Sequence, residues 1–345
     1  MHENGNENQK EFMMRPKAMF ILGSGSYSQI YGPEEVADIE KMCDVFCEPQ
    51  TKESVAAHPE LLAETEIIFS GWGAPKLDAA FLAAAPKLKA VFYGAGSVRG
   101  MVTDEMWDRG IIVTSSWAAN AIPVSEYTLA EILFSLKLGW RWAYRAKADQ
   151  AYPKKDQTVP GCYGSTIGLI SLGMIGKLVA NLLKQFNLKV IAYDPFTKPE
   201  TAAELGVTMK SLNDVFAEAD VVSCHTPWLK ETERMIRGEH FKLMKPNATF
   251  INTARGAVIA EEEMLDVMEA RPDLTAVLDV TYPEPPKPGS RIYTLPNVIL
   301  TPHVAGSMAA ECRRMGRYAV EMCQCYLAGK PMKWQLNKKM AETMA

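Results

Sequence analysis

The sequence predicts an α/β protein made of two lobes, each built around a parallel β-sheet. Short apolar runs of β type alternate with helical stretches over most of the 345 residues. This alternation is interrupted once, by a long helical segment from Ser125 to about Ala148, and then restarts. Alternation of strand and helix produces right-handed βαβ units and a mostly parallel sheet, and a chain of this length can bury two cores.

Five runs predict the strands of the first lobe, because each is apolar or β-branched and is closed by Gly, Pro or Ser. They read K-A-M-F-I-L-G, D-V-F-C-E-P, E-I-I-F-S-G, L-K-A-V-F-Y-G and G-I-I-V-T-S-S. Stretches such as E-E-V-A-D-I-E-K-M and P-K-L-D-A-A-F-L-A-A-A-P lie between them and are typical of helices.

Six further runs predict the second sheet, after the long helical segment and a turn-rich loop. They read T-I-G-L-I-S, K-V-I-A-Y-D, D-V-V-S-C-H, A-T-F-I-N-T-A, L-T-A-V-L-D-V and N-V-I-L-T-P-H. A last helix is predicted from about Met308 to Leu327, because Gly329 and Pro331 end it.

The interruption and the last helix also predict the domain boundaries. We expect a disordered polar leader over residues 1–16 and a second lobe over residues 122–307. Residues 17–121 form the first lobe together with residues 308–345, because the last helix follows a complete second sheet and can return to the first. Both lobes are then Rossmann-like or flavodoxin-like, joined by long interdomain helices.

The composition excludes several classes of function. The chain has a net charge of −4 and is 48% hydrophobic and 23% charged. It therefore lacks the basic balance of a nucleic-acid-binding protein. The polar start has no apolar core of a signal peptide, and no apolar run reaches the roughly 20 residues of a membrane span. The seven cysteines are scattered, so we expect reduced thiols in a cytoplasmic protein, with no disulfide and no metal site.

One turn in the second lobe has nucleotide-binding character. The apolar run T-I-G-L-I leads into Ser171-x-Gly173-x-x-Gly176 and then an amphipathic segment. In the dinucleotide fingerprint the first glycine makes the turn, the second lets the backbone approach the pyrophosphate, and the third lets helix and strand pack closely. Serine in the first position is free of strain if its φ is negative and otherwise costs about 1–2 kcal/mol. A glycine-tolerant turn without a ligand is the alternative.

An acidic residue stands where the fingerprint requires one. Asp194 ends the run K-V-I-A-Y-D, eighteen positions after Gly176. A carboxylate there accepts hydrogen bonds from the ribose hydroxyls and repels a 2′-phosphate, so we expect NAD in preference to NADP. The alternative is a strand-end turn residue before Pro195.

Four polar side chains follow predicted strands of the second lobe, at the edge where α/β sheets bind their ligands. Arg255 lies in I-N-T-A-R-G, Asp279 and Glu284 in L-D-V-T-Y-P-E-P, and His303 in T-P-H-V-A-G-S. Taken singly, Arg255 could be a surface cation, Glu284 a solvated loop acid and His303 a capped strand-end residue.

Together these motifs resemble the D-isomer-specific 2-hydroxyacid dehydrogenase family, which includes phosphoglycerate, D-lactate and glyoxylate/hydroxypyruvate-type enzymes. The resemblance covers nearly the whole chain. The matching motifs are Y-G-A-G-S-V, P-V-S-E-Y-T-L-A, T-I-G-L-I-S-L-G-M-I-G, C-H-T-P-W-L-K-E-T, I-N-T-A-R-G, L-D-V-T-Y-P-E-P and T-P-H-V-A-G-S, in the order of the family. Two residues depart from its pattern. Ser171 replaces a glycine, and Tyr127 replaces a histidine that many members carry.

The resemblance implies an NAD-dependent oxidoreductase that acts on a small D-2-hydroxy or 2-oxo acid. The first lobe would bind the substrate and the second the NAD. Hydride transfer needs a proton at the substrate oxygen, and His303 would be the acid/base, with Glu284 bound to its other ring nitrogen to tune it. Arg255 would hold the substrate carboxylate through its planar fork.

The resemblance also assigns binding residues. The cofactor would contact Ser171, Gly173, Met174, Ile175, Gly176, Asp194, His225, Thr226, Pro227, Thr232, Thr253, Ala254, Asp279, His303 and Gly306. The substrate would contact Gly96, Ser97, Arg255 and His303, and it could be walled by Trp72, Tyr93 and Trp117. A tight turn at Gly96 and core packing of the three aromatic residues are the alternatives. These aromatic residues favour a substrate bulkier than lactate.

Two further expectations concern partners. The apolar stripe of residues 125–148 predicts a homodimer, with packing inside one chain as the alternative. Relatives also include corepressors of the C-terminal-binding-protein type, so an NAD(H)-sensing binding protein is the alternative function. Formate oxidation is excluded by the resemblance, since relatives with that activity carry glutamine at the position of Glu284.

Overall fold

The computed structural model describes residues 15–154 and 158–344, and the chain divides into two compact units. The first comprises the residues up to Ser116 and Arg313–Lys338; the second comprises Trp117–Cys312 and the residues from Lys339 onward. The second unit thus begins at Trp117, five residues before the predicted boundary at residue 122. The residues from Lys339 onward belong to the second unit, whereas the prediction assigned them to the first. Most of the expected leader, residues 1–14, lies outside the described residues.

The first unit contains a five-stranded parallel sheet in the order β2-β1-β3-β4-β5, which is a flavodoxin-like order. Its strands are β1 (Lys17–Ile21), β2 (Asp44–Val45), β3 (Ile67–Ser70), β4 (Ala90–Tyr93) and β5 (Ile112–Ser115). Its first five helices are α1 (Ser24–Ile30), α2 (Pro33–Met42), α3 (Lys52–Ala57), α4 (Ala79–Ala84) and α5 (Asp104–Asp108).

The second unit contains a seven-stranded parallel sheet in the order β12-β11-β10-β9-β6-β7-β8. Its strands are β6 (Thr166–Ile170), β7 (Lys189–Tyr193), β8 (Thr208–Met209), β9 (Val221–Cys224), β10 (Thr249–Asn252), β11 (Thr275–Leu278) and β12 (Val298–Leu300). Its helices are α6 (Trp117–Ser135), α7 (Gly139–Ala148), α8 (Met174–Leu183), α9 (Pro199–Leu205), α10 (Leu212–Glu218), α11 (Gly238–Leu243) and α12 (Glu261–Ala270). The chain ends with α13 (Cys312–Leu327), nearly all of it in the first unit, and α14 (Lys338–Thr343). The predicted α/β class with two parallel sheets is confirmed.

The strands of the second unit were recognisable because helices cover both faces of the sheet. Successive residues of a strand point to opposite faces, so a strand covered on both is apolar throughout. Phe250 and Val222 pack into the core on one face, and Ile251 and Val221 into the core on the other. The strand order reverses between β6 and β9, and a doubly wound sheet binds ligands at the carboxyl ends of its strands at such a point.

The long helical segment differs from its prediction. The structure has two helices there: α6 begins eight residues before Ser125, and the chain breaks before α7 at Leu138, whose φ is +52°. The break was hidden because Leu136 and Leu138 are both buried and continue the apolar stripe. The last helix also starts later than predicted, at Cys312, because a short 3-10 turn precedes it. Within the described residues, none of the helices has the length and apolar character needed to cross a membrane.

Candidate active site at the carboxyl edge of the second sheet

The fingerprint turn connects β6 to α8 and contains a strained serine. Ser171 follows the strand directly and has a φ of +75°, so it takes the conformation in which serine is strained by about 1–2 kcal/mol. The backbone fixes it there, because the Ser171 N–H donates to the Tyr193 carbonyl oxygen at 2.8 Å. Gly173 is the N-cap of the helix, whose first residues are Met174 and Ile175.

The two glycines of the turn have different physical roles. A Cβ at Gly176 would overlap the Ser171 carbonyl oxygen. The close approach of α8 to the end of β6 therefore requires glycine at this position. A Cβ at Gly173 would come no closer than 3.8 Å to any protein atom, the nearest being Ser171 Oγ. Packing of the protein therefore does not require glycine at 173. Backbone left open beside the N–H groups of a helix N-terminus fits a pyrophosphate.

The Asp194 side chain accepts hydrogen bonds from the turn after β6 and from the turn after β7. The Leu172 N–H donates to its Oδ2 at 2.7 Å. The Phe196 and Thr197 N–H groups donate to Oδ1 at 2.8 and 3.0 Å. The Ser171 hydroxyl also lies 3.5 Å from Oδ2, at the limit of a hydrogen bond. These four contacts occupy the roughly four lone pairs of the carboxylate, so a ribose hydroxyl would have to replace the weak contact with Ser171. The bonds to Phe196 and Thr197 are those of the strand-end turn residue given as the alternative for Asp194.

The loop after β9 contains a buried neutral histidine. His225 is only 7% exposed, and its Nε2 lies 3.1 Å from Ser223 Oγ. Burial lowers the pKa of His225 to about 4, and no described group lies within hydrogen-bond distance of its Nδ1. Next to it, Thr226 is also buried. Thr232 closes the loop, because its hydroxyl donates to the Pro227 carbonyl oxygen at 2.6 Å.

The loop after β10 presents Arg255. The Asn252 side chain clamps the loop by accepting from the Ala254 N–H and donating to the Arg255 carbonyl oxygen, both at 3.0 Å. Gly256 lies directly against the backbone of Thr281, where a Cβ would overlap it. This close approach brings Arg255 next to the segment after β11 that leads to Glu284.

The loops after β11 and β12 bring Glu284 and His303 into contact. Glu284 Oε1 lies 2.6 Å from His303 Nδ1, and both side chains are about half exposed. Because Nδ1 is engaged, Nε2 is the ring nitrogen left for a reacting group. His303 has a φ of +55°, and its N–H lies 3.0 Å from the Asp279 and Thr301 carbonyl oxygens, so the backbone fixes this unusual conformation.

The buried carboxylate of Asp279 organises the same loop. It is 2% exposed, and its Oδ1 accepts from the Thr301 hydroxyl at 2.7 Å and from the Val304 N–H at 2.8 Å. Its Oδ2 accepts from the Ala305 N–H at 2.9 Å. One side-chain group thereby holds the segment that carries His303 against the end of β11.

Helix α6 fastens the same edge through polar side chains. Asn120 Oδ1 accepts from the Ser307 N–H at 2.8 Å, and the Asn120 side chain lies beside Gly306. Thr128 Oγ1 lies 3.2 Å from Thr253 Oγ1. Asn120, Asn252 and Thr301 were not predicted as site residues. Asn120 lies outside the matching motifs, whereas Asn252 and Thr301 lie inside I-N-T-A-R-G and T-P-H-V-A-G-S but carry no charge or titratable group that would mark them.

The loop after β4 in the first unit presents backbone N–H groups. The Ser115 hydroxyl lies 3.0 and 2.5 Å from the carbonyl oxygens of Ala95 and Gly96. In a trans peptide the N–H points opposite to the carbonyl, so the N–H groups of Gly96 and Ser97 point away from Ser115. Two adjacent N–H groups directed outward can bind a carboxylate.

The three aromatic candidates differ in burial. Tyr93 is buried in the first unit, which fits core packing, and Trp72 there is half-buried. Trp117 is half-buried and begins α6 in the second unit. Among the described residues, no group of three or more His, Cys, Asp or Glu could hold a metal ion.

The sheet order places the second unit's candidates in a line. Asp194 follows β7, the glycine turn β6, His225 β9, Arg255 β10, Asp279 β11 and His303 β12. Strands are spaced about 4.8 Å apart, so four steps separate Asp194 from Asp279 by about 19 Å, the scale of an extended dinucleotide. The line begins at Asp194, the candidate for ribose binding, and ends at His303, the candidate acid/base.

Known proteins resemble this chain in sequence and in fold. A sequence profile described as the D-isomer specific 2-hydroxyacid dehydrogenase NAD binding domain matches residues 132–305. The D-3-phosphoglycerate dehydrogenase of Mycobacterium bovis is 32% identical over 282 residues, which cover 82% of this chain and 52% of that protein. The chain thus spans about half the length of this relative and of the similar mycobacterial proteins.

Two solved structures have the same fold. A phosphoglycerate oxidoreductase from Rhizobium etli has a TM-score of 0.78 at 22% identity, covering 94% of this chain and 99% of its own. The NAD-complexed D-isomer specific 2-hydroxyacid dehydrogenase of Lactobacillus delbrueckii ssp. bulgaricus has a TM-score of 0.75 at 23% identity, covering 93% of this chain and 100% of its own.

The two glycines of the turn should respond differently to alanine. We expect Gly176→Ala to lower the free energy of unfolding by about 2 kcal/mol or more, because the new Cβ overlaps the Ser171 carbonyl. Gly173→Ala should change it by less than about 1 kcal/mol, because the new methyl group meets open space. Urea unfolding of both variants measures this difference. Equal losses would show that the space at Gly173 is not open.

Burial of His225 predicts a loss of stability in acid. An unfolded histidine titrates near its ordinary pKa of 6.5, and the folded one only at about 4. The stabilisation is therefore complete above pH 6.5 and is lost as the pH falls to about 4, by about 3 kcal/mol in total. Unfolding free energies from pH 7 to pH 3.5 should show a shallower fall in His225→Asn. The exposed His58→Gln variant should keep the slope of the wild type, and an unchanged slope in His225→Asn would contradict the assignment.

Proposed function

Because the chain belongs to the D-isomer specific 2-hydroxyacid dehydrogenase family, we propose that it transfers a hydride between a nicotinamide and a small D-2-hydroxy or 2-oxo acid. One observation carries the proposal. The glycine turn, Asp194, Arg255, Asp279 and the His303–Glu284 pair all lie along the carboxyl edge of one sheet, where a doubly wound sheet binds its ligands.

The His303–Glu284 pair supplies the proton. A bound nicotinamide would give the hydride to the carbonyl carbon of the oxo acid or take it back from the alcohol. His303 Nε2 gives a proton to the carbonyl oxygen in reduction and takes it in oxidation. Glu284, at 2.6 Å from Nδ1, fixes the ring orientation and stabilises the charge that the imidazole carries before it donates.

The substrate carboxylate needs matching donors. The guanidinium of Arg255 offers a planar fork that can bind the carboxylate and polarise the neighbouring carbonyl. Its own Nη1 donates to the Ala254 carbonyl oxygen at 2.6 Å, and this bond restrains the side chain. In the first unit, the N–H groups of Gly96 and Ser97 that point away from Ser115 are also proposed as carboxylate donors. Trp72 and Trp117 remain candidates for selecting a bulky side chain.

The residues along the edge fit an NAD molecule. The backbone of residues 173–176 would bind the pyrophosphate, and Asp194 the adenosine ribose. The carboxylate of Asp194 would repel a 2′-phosphate, so we propose NAD in preference to NADP. The nicotinamide half would lie along the ends of β9 to β12, in contact with the segment 225–227, with Thr253 and Ala254, and with Asp279, His303 and Gly306. Thr232 would shape this groove by closing its loop.

Absorbance assays with NADH and a panel of 2-oxo acids test this function. We expect turnover of at least one acid among glyoxylate, pyruvate, phosphohydroxypyruvate and phenylpyruvate, and a lower kcat/KM with NADPH. His303→Ala should lower kcat by about 10²-fold or more, and Glu284→Gln by about 10-fold or more, because the proton donor or its partner is lost. His58→Gln is the matched control. Full turnover in His303→Ala would remove it from the reaction, and NADH binding without turnover would favour an NAD(H)-sensing protein.

We also propose that the α6–α7 region forms a homodimer contact. Helix α7 has no buried residue, and the aromatic side chains of Phe134 and Tyr144 are 43% and 52% exposed. Tyr293, at 53%, is a similarly exposed aromatic residue elsewhere in this unit. Light scattering should show a dimer that Phe134→Asp together with Tyr144→Asp converts to a monomer. Tyr293→Asp should remain dimeric, and a monomeric wild type would contradict the proposal.

A further inference from the structure

A line of hydroxyl groups runs from helix α6 to the carboxylate of Asp279. The Tyr127 hydroxyl lies 3.1 Å from Thr301 Oγ1, and Thr301 Oγ1 lies 2.7 Å from Asp279 Oδ1. A carboxylate only accepts hydrogen bonds, so Thr301 uses its single proton on Asp279. The Thr301 oxygen must then accept, and Tyr127 is the donor. The direction of both bonds is therefore fixed.

The other bonds of Asp279 leave one position open. Its Oδ1 also accepts from the Val304 N–H at 2.8 Å, and its Oδ2 accepts from the Ala305 N–H at 2.9 Å. A carboxylate oxygen can accept about two hydrogen bonds, so Oδ1 is filled and Oδ2 can accept one more. Which way Oδ2 points depends on how the carboxylate is turned, and the Thr301–Tyr127 pair opposes any rotation about the Cβ–Cγ bond.

Two further features act on the Tyr127 hydroxyl. Burial raises the pKa of Tyr127 to about 12, so the phenol keeps its proton near neutrality. Glu131 lies one helical turn further along α6, where it accepts from Trp140 Nε1 at 2.8 Å. Burial raises the pKa of Glu131 above its ordinary value, and its hydrogen bonds to Trp140 and Tyr127 oppose this in part. Because the Tyr127 hydroxyl has a single proton, Thr301 and Glu131 share it as acceptors.

We propose that Tyr127 is a positioning residue for the cofactor. Through Thr301 it holds the Asp279 carboxylate so that Oδ2 faces an amide N–H donor, the nicotinamide carboxamide. This inference rests on the proposed function. Tyr127 touches neither the cofactor nor the substrate in this scheme, and its effect is confined to ligands that carry that N–H group.

Binding of a dinucleotide that lacks the nicotinamide carboxamide distinguishes this positioning role from a purely structural one. In 3-acetylpyridine adenine dinucleotide a methyl ketone replaces the carboxamide, so it has no N–H to donate. Calorimetry of its binding and of NAD+ binding gives a ratio of dissociation constants that is independent of turnover. We expect the wild type to prefer NAD+. Tyr127→Phe and Thr301→Val should each reduce that preference about 3- to 10-fold, toward the value of Asp279→Asn, as for the loss of one hydrogen bond.

Two variants serve as controls. Thr301→Ser keeps the hydroxyl and should keep the wild-type ratio. Tyr31→Phe removes another buried phenol, whose hydroxyl donates to the Ser70 carbonyl oxygen at 2.7 Å in the first unit. It should lower the free energy of unfolding by a similar amount, because it also loses a buried hydroxyl hydrogen bond, but it should leave the ratio unchanged.

The outcomes separate this inference from the proposed function. Equal weakening of both dinucleotides in Tyr127→Phe would show a structural role only and would overturn the inference, as would a wild type without preference for NAD+. Absence of turnover with every oxo acid would count against the proposed function, and the binding ratio would still decide the role of Tyr127.

Discussion

The buried carboxylate of Asp279 is the constraint on which the reactive end of the site depends. A buried carboxylate without donors costs several kcal/mol, so the chain must bring donors to it. It obtains them from Thr301, Val304 and Ala305, all in the segment after β12. His303 lies inside that segment. Satisfying Asp279 therefore fixes the backbone of the proposed acid/base, and the neighbouring contact with Glu284 fixes its ring.

Strained backbone conformations and close backbone contacts both occur at the carboxyl edge of the second sheet. Ser171 and His303 both have positive φ values, and Gly256 lies against Thr281 with no space for a side chain. Such conformations cost about 1–3 kcal/mol each and persist only where surrounding contacts enforce them. Both strained residues donate their N–H to a carbonyl of the neighbouring strand segment: Ser171 to Tyr193 and His303 to Asp279. The sheet thus supplies the restraint that keeps both residues in these conformations.

Different parts of this architecture were readable from sequence for different reasons. Each of the eleven predicted strand runs contains an observed strand, because strands covered on both faces must be apolar throughout. The two-residue β8 was missed because it lies in G-V-T-M-K-S, where no apolar run forms, whereas the equally short β2 lies in the apolar run of D-V-F-C. The break at Leu138 was hidden because a buried leucine suits a helix and a turn equally. The His303–Glu284 contact followed from motifs in order. The roles of Asn120, outside any motif, and of Thr301, inside T-P-H-V-A-G-S, could not be found in this way, because a neutral polar side chain acquires its role only from what the fold places beside it.

Asp194 and Asp279 show why motif residues can have two roles at once. Each is expected to bind the cofactor, and each already accepts three short hydrogen bonds from the protein. Three bonds leave about one lone pair for a ligand, and at Asp194 the Ser171 hydroxyl lies 3.5 Å from that carboxylate. Removing either carboxylate would therefore disturb the backbone and the ligand together, and the affinity for NAD+ alone could not separate the two effects in such a variant. Gly173 and Tyr127 are more informative positions, because the first has free space on the protein side and the second acts through one hydroxyl group at a distance from the ligand.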